Sequence, residues 1–199
     1  GTVIAPHFWG LNREAAALVA MGRLDGIEMT GQREFTHNEY YRILNCGYRM
    51  PLLAGTDKMS SDVTIGLSRT YVYVPQDEEF NYDNWRKNVA KGRTFATSGP
   101  MIGLTVDGHP IGDTVPLTGA GTVEVEAWAE GIFPIHRLDI VQAGQVVAST
   151  ESRQGTRRLE LKEKLKVDAH TWLAARCGGP DYFTAGNFIS SLPPSWSSR

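Results

Sequence analysis

Three polar side chains stand at or near the ends of three short apolar runs in the first half of the sequence. His7 comes directly after "TVIAP", Glu28 lies late in "DGIEM", and Asp57 follows "MPLLAG". About one strand-plus-helix unit separates each of these residues from the next. Since reactive groups gather at the carboxyl ends of parallel strands, the spacing predicts that the three side chains converge on one rim.

A histidine with two carboxylates is a ligand set for a divalent metal. Imidazole and carboxylate together suit zinc, manganese or iron, and a metal with open positions activates water for hydrolysis. His7, Asp57 and Glu28 are therefore the candidate metal ligands. No GxSxG, P-loop or GxGxxG motif is present to indicate a serine hydrolase or a nucleotide site.

Each candidate also has a purely structural interpretation. His7 could cap its strand and bind backbone groups, and Asp57 in "GTDK" could form an Asx turn. Glu28 could face a helix–sheet interface and pair with Arg23 or Arg42. Spacing alone does not decide between these interpretations and a metal site.

Two basic residues near the third and fourth strands complete the candidate site. Lys58 follows Asp57 directly, and Arg69 begins the run "RTYVYV". Both could bind an anionic group of a substrate, although a lysine next to a loop acid is also a common solvated charge.

The elements that must position these residues change character near residue 98. Up to that point short apolar runs alternate with helical patterns, which is typical of βαβ units and a parallel sheet. From Gly99 the pattern has a period of two: Val123, Val125, Ala127 and Ala129 face one way. We therefore predict an α/β domain over 1–98, an antiparallel β-sandwich of about six short strands over 99–185, and a tail over 186–199.

Several motifs occur in an order that resembles a known family, namely "TVIAPHF", "GRLDGIEM", "YYRILNCGYRMPLLAGTDKM", "GLSRTYVYV" and "VAKGRTFATSGPMIGLTVDGHPIGD". This order is similar to the CehA/McbA-like branch of the PHP (polymerase and histidinol phosphatase) metallohydrolases. The resemblance implies the C-terminal part of a distorted (βα)₇ barrel, followed by an Ig-like β-sandwich. It also implies that a metal-activated water attacks an ester, carbamate or phosphoester, and it places Asp57 at the last metal-ligand strand end. Met59 stands where that motif usually has a second ligand, a histidine.

Net charge and apolar run length limit the classes of partner that the sequence indicates. A net charge of −2 gives no indication of nucleic acid, and no apolar run approaches the 18 residues of a membrane span. From the candidate ligands and the family resemblance, we expect a small ester or phosphoester substrate and a zinc, manganese or iron cofactor. The sequence is also compatible with a homo-oligomer. The alternative is a non-catalytic module whose sandwich binds carbohydrate or a protein partner through Trp128 and Trp172. The compartment is not indicated.

Overall fold

The computed structural model describes residues 1–8, 14–28 and 37–179, which form two compact units. The first runs from Gly1 to Ser98, and the second begins at Gly99. Each unit contains a buried apolar cluster of its own.

A small parallel sheet organises the first unit. Its strands lie in the order β1 (Ile4–Ala5), β2 (Gly26–Glu28), β3 (Leu52–Leu53). Two helices, α1 (Ala15–Ala20) and α2 (His37–Asn45), lie between these strands in the chain. The sheet and helices bury one cluster made of Phe8, Val19, Ile27 and Met50.

A second, two-stranded sheet follows in the same unit. β4 (Arg69–Val72) pairs antiparallel with β5 (Thr94–Thr97), and α3 (Tyr82–Ala90) connects them. The side chain of Asn81 caps α3 by accepting a hydrogen bond from the Asn84 amide. Two threonine hydroxyls link this sheet to the β3 segment: Thr70 donates to the carbonyl of Ala54, and Thr94 donates to the carbonyl of Leu52.

The described part of the second unit, residues 99–179, forms one antiparallel sheet of five strands. These are β6 (Met101–Val106), β7 (His109–Pro110), β8 (Gly121–Gln142), β9 (Gln145–Val167) and β10 (Leu173–Gly178). β8 lies at the centre, with β6, β9 and β10 all hydrogen-bonded to it along different parts of its length.

The long strand β8 carries the core of this unit. Its first half pairs with β6 and its second half with β10, and the register with β9 shifts between Glu130 and Ile135. Val125, Ala129, Leu138 and Ile140 are fully buried and belong to one cluster. Both halves of β8 therefore contribute to the same cluster. The predicted inward set of Val123, Val125, Ala127 and Ala129 is confirmed.

The predicted fold class, a partial α/β barrel followed by an Ig-like sandwich, is wrong. Strands make up 45% of the described residues and helices only 14%, and these residues form no barrel. Parallel pairing stops at β3, because β4 pairs antiparallel with β5 and does not extend the first sheet.

The strand count in the second half also differs from the expectation. About six short strands were predicted, but β8 and β9 run through 22 and 23 residues and leave five strands. Gly131 and Pro134 were natural breaks in the sequence, yet they fall in an irregular stretch inside β8. The predicted tail over 186–199 lies outside the described residues, as does the end of the predicted 99–185 domain.

Candidate functional site

The three predicted ligands stand at one edge of the parallel sheet. His7 lies two residues beyond β1, Glu28 is the last residue of β2, and Asp57 lies in the loop that follows β3. β2 is the middle strand, so Glu28 lies between the chain segments that carry His7 and Asp57. Parallel pairing brings the three carboxyl ends together because all three strands run in the same direction.

The side chains of His7 and Asp57 meet across the end of β2. The Nε2 atom of His7 lies 3.4 Å from the Oδ2 atom of Asp57. The two side chains are 31% and 29% exposed, so solvent or a small molecule can reach them. The structure therefore brings together two of the residues that the sequence selected.

Both residues of this pair have a left-handed backbone. The φ angle is 47° at His7 and 48° at Asp57. Among the described residues, two other non-glycine residues have positive φ, Asp107 and Ala143. Each of those precedes a glycine in a two-residue hairpin turn, where positive φ is required.

His7 lies in the turn over Pro6–Phe8, where a proline followed by a residue with positive φ is typical of a type II turn, whereas Asp57 lies outside any hairpin or assigned turn. A left-handed conformation costs an L-residue about 1–2 kcal/mol. Strained residues of this kind cluster at functional sites, so the left-handed conformation of Asp57, which no turn requires, points to function.

Glu28 contacts the main chain of His7. Its Oε2 atom accepts a hydrogen bond from the His7 amide at 3.1 Å, and its own carbonyl accepts one from the Phe8 amide at 3.4 Å. Arg42, one of the partners that the sequence offered for Glu28, donates to Glu39. The carboxylate of Glu28 thus supports the segment that carries His7.

The His7–Asp57 pair fits two ligand positions of a metal ion. Two donors that are each about 2.1 Å from a tetrahedral ion lie about 3.4 Å from each other, which matches the separation observed. Within the described part of the chain, no group of three or more His, Cys, Asp or Glu side chains is arranged to hold a metal. The described residues therefore offer two candidate ligands at this edge of the sheet.

Lys58 and Arg69 both bind backbone carbonyls. The ammonium of Lys58 donates to the carbonyls of Ser60 and Val63 at 2.8 and 2.5 Å, which closes the loop after Asp57. Arg69 donates from Nη1 to the carbonyl of Gly66 at 2.6 Å, and its guanidinium lies 5.8 Å from the centre of the Tyr71 ring. These contacts give both residues a loop-ordering role alongside any contact with a substrate.

Two residues that the sequence did not select also shape the site. The hydroxyl of Thr56 accepts from the Gly66 amide and donates to the Ser68 carbonyl, which fixes the chain immediately before Asp57. Gly55 lies next to the Glu28 carboxylate, and a Cβ at residue 55 would be 3.2 Å from the Oε1 atom of Glu28. The only sequence signal for either residue was their place in "AGTDK", next to Asp57.

An apolar cavity of about 280 Å³ lies beside β1 and α1. Pro6 and Phe8, the neighbours of His7 on both sides, line it together with Leu18 and Leu24. Met59, two residues after Asp57, is 74% exposed.

Trp128 and Trp172, the two tryptophans considered for ligand binding, are both half-buried. The Trp128 indole lies against Gly103, where a Cβ would clash with the ring. The Arg158 guanidinium lies 5.3 Å from its ring centre. Trp172 is half-buried just before β10. Trp128 is thus packed between two groups of its own sheet.

None of the helices among the described residues has the length and apolar character needed to cross a membrane. Comparisons of the chain with protein-family models, with curated proteins and with solved structures found no match.

Proposed function

We propose that this chain carries part of the active site of a metal-dependent hydrolase, in which His7 and Asp57 bind a divalent metal. One observation carries the proposal: the two side chains face each other at 3.4 Å, and Asp57 is held there by a left-handed backbone outside any assigned turn. The resemblance to CehA/McbA-like metallohydrolases belongs to the same proposal and supports it.

The donor set suits a zinc, manganese or iron ion. His7 would bind through Nε2, and Asp57 would add a negative charge through Oδ2. When bound, such a metal supplies the Lewis acidity that makes water a nucleophile at neutral pH. Asp57 is held in place by the Thr56 contacts, and the His7 main chain is held by Glu28.

The substrate would be a small ester, carbamate or phosphoester. The cavity lined by Pro6 and Phe8, the neighbours of His7, supports an ester or carbamate with an apolar acyl or alkyl group, because its lining is mostly aliphatic and aromatic, with Glu14 as its charged residue. A phosphoester would depend on the guanidinium of Arg69 for charge compensation.

Zinc binding tests the metal part of the proposal. Equilibrium dialysis followed by mass spectrometry of the metal should show saturable zinc binding to the wild-type protein. Asp57→Ala and His7→Ala should each weaken it by about tenfold or more, because each removes a ligand. A matched control is His109→Ala, since His109 and Asp113 form a 3.9 Å pair of the same residue types without left-handed backbone at either residue.

Equal zinc binding by the wild type and by Asp57→Ala would refute the metal site. If zinc binds as expected, a screen of nitrophenyl esters, carbamates and phosphoesters tests catalysis. Activity that is lost in Asp57→Ala and kept in His109→Ala would support the hydrolase, and an absence of hydrolysis across the three substrate classes would count against it.

A further inference from the structure

Glu28 holds two consecutive amides of the segment that contains His7. Its side-chain Oε2 accepts from the His7 amide at 3.1 Å, and its main-chain carbonyl accepts from the Phe8 amide at 3.4 Å. One residue at the end of the central strand thus fixes the segment in which the chain turns away from β1. That turn contains the left-handed residue that directs the imidazole toward Asp57.

Gly55 leaves space for this arrangement. A Cβ at residue 55 would lie 3.2 Å from Oε1 of Glu28, which is closer than most real Cβ contacts. Gly55 does not have positive φ, so its backbone conformation does not require glycine. Glycine at position 55 is therefore explained by the space that the Glu28 carboxylate needs.

We propose that Glu28 is a positioning residue: its carboxylate, admitted by Gly55, holds the left-handed main chain of His7 so that the imidazole faces Asp57. The proposal rests on the proposed function in one respect, since it assigns this geometry to metal binding. It differs from the sequence-based expectation that Glu28 itself binds the metal. Oε2 is already directed at an amide proton, and a carboxylate in that role needs only to accept a hydrogen bond.

If Glu28 acts only as a hydrogen-bond acceptor for the His7 amide, Glu28→Gln and Glu28→Ala should have different effects. Glu28→Gln keeps a carbonyl oxygen that can accept from the His7 amide, whereas Glu28→Ala removes it. A metal ligand would lose its function in both variants, because a neutral amide is a poor replacement for a carboxylate. A positioning residue should be rescued by glutamine.

The first measurement is the zinc affinity of the full chain, by equilibrium dialysis. We expect Glu28→Gln to bind zinc within about threefold of the wild type and Glu28→Ala to bind about tenfold more weakly, as residues that orient ligands do. Equal losses in the two variants would overturn the positioning role in favour of direct ligation. Unchanged affinity in Glu28→Ala would overturn any role of Glu28 at the site.

The second measurement requires no metal. In the NMR spectrum, Asp57→Asn should shift the Cε1–H resonance of the His7 ring in the wild-type and Glu28→Gln backgrounds, because the two side chains touch. In the Glu28→Ala background the same substitution should have little effect, since the imidazole is no longer directed at residue 57. An equal shift in all three backgrounds would overturn the proposal.

This pair of readouts separates the two hypotheses. If zinc does not bind to any variant but the NMR pattern is as expected, the metal site is wrong and the positioning role stands. If Glu28→Ala does not fold, Gly55→Ala replaces it as the test variant. It keeps the Glu28 carboxylate but brings a Cβ close to it, so it should reduce the Asp57-dependent shift of the His7 resonance. A full shift in Gly55→Ala would contradict the clearance argument.

Discussion

The carboxylate of Asp139 is 2% exposed and accepts three hydrogen bonds in the second unit. Its donors are Nε of Arg137 at 2.6 Å, Nε of Arg176 at 2.9 Å and the hydroxyl of Ser149 at 2.8 Å. Three neighbouring strands, β8, β9 and β10, therefore meet at one buried charge. Because the Asp139 carboxylate itself is buried, its removal would break all three of these hydrogen bonds at a desolvated position.

We predict that Asp139→Ala lowers the free energy of unfolding by about 3 kcal/mol or more, which is typical of a broken buried ion pair. Urea unfolding measures the loss. Glu151→Ala is the matched control, because Glu151 also binds Arg137 at 3.0 Å but is 62% exposed. That substitution should cost at most about 1 kcal/mol, and equal losses in the two variants would refute the importance of burial.

At the scale of elements, the β8–β9 hairpin depends on a two-residue turn. Gln142 pairs with Gln145, and the turn residues Ala143 and Gly144 have φ angles of 48° and 91°. Two positive φ angles are typical of a type I′ turn, in which asparagine followed by glycine is preferred. Alanine at the first turn position is therefore strained, and this strain lowers the stability of the β8–β9 hairpin.

Ala143→Asn should stabilise the protein by about 0.5–1 kcal/mol, since asparagine adopts the left-handed conformation more readily than alanine. Gly144→Ala should destabilise it by about 1 kcal/mol or more, because alanine is strained at that φ. Thermal unfolding of both variants gives the test. A lower melting temperature for Ala143→Asn would show that the turn does not limit stability.

At the scale of the whole molecule, each unit has its own core. The main cluster of the second unit draws its buried members from Leu104 to Cys177. A fragment covering residues 99–179 should therefore fold on its own, with a strand-type circular dichroism spectrum and a cooperative urea transition. A fragment over 99–167 is the control: it lacks β10 and should be much less stable, because β10 pairs with the second half of β8. A 99–179 fragment without a cooperative transition would refute the prediction.

Local patterns predicted the local structure well. The helical patterns in "NEYYRILNCG" and "NYDNWRKNVAKG" correspond to the helices His37–Asn45 and Tyr82–Ala90, and the apolar alternation in β8 gave the correct inward face. These features depend on near neighbours in the chain, through caps, glycines and periodicity. The same patterns could not show that β4 pairs antiparallel with β5, because strand order depends on contacts between distant segments.

The sequence by itself determined the residue types of the candidate site and their places after three successive strands. Only the tertiary structure decided that His7 and Asp57 lie 3.4 Å apart, that both have left-handed backbone, and that Glu28 turns to the His7 amide. The physical reason is that spacing in a sequence predicts which edge of a sheet a residue occupies. The direction of its side chain depends on backbone angles and clearances, such as the one at Gly55, which the packing of several segments sets together.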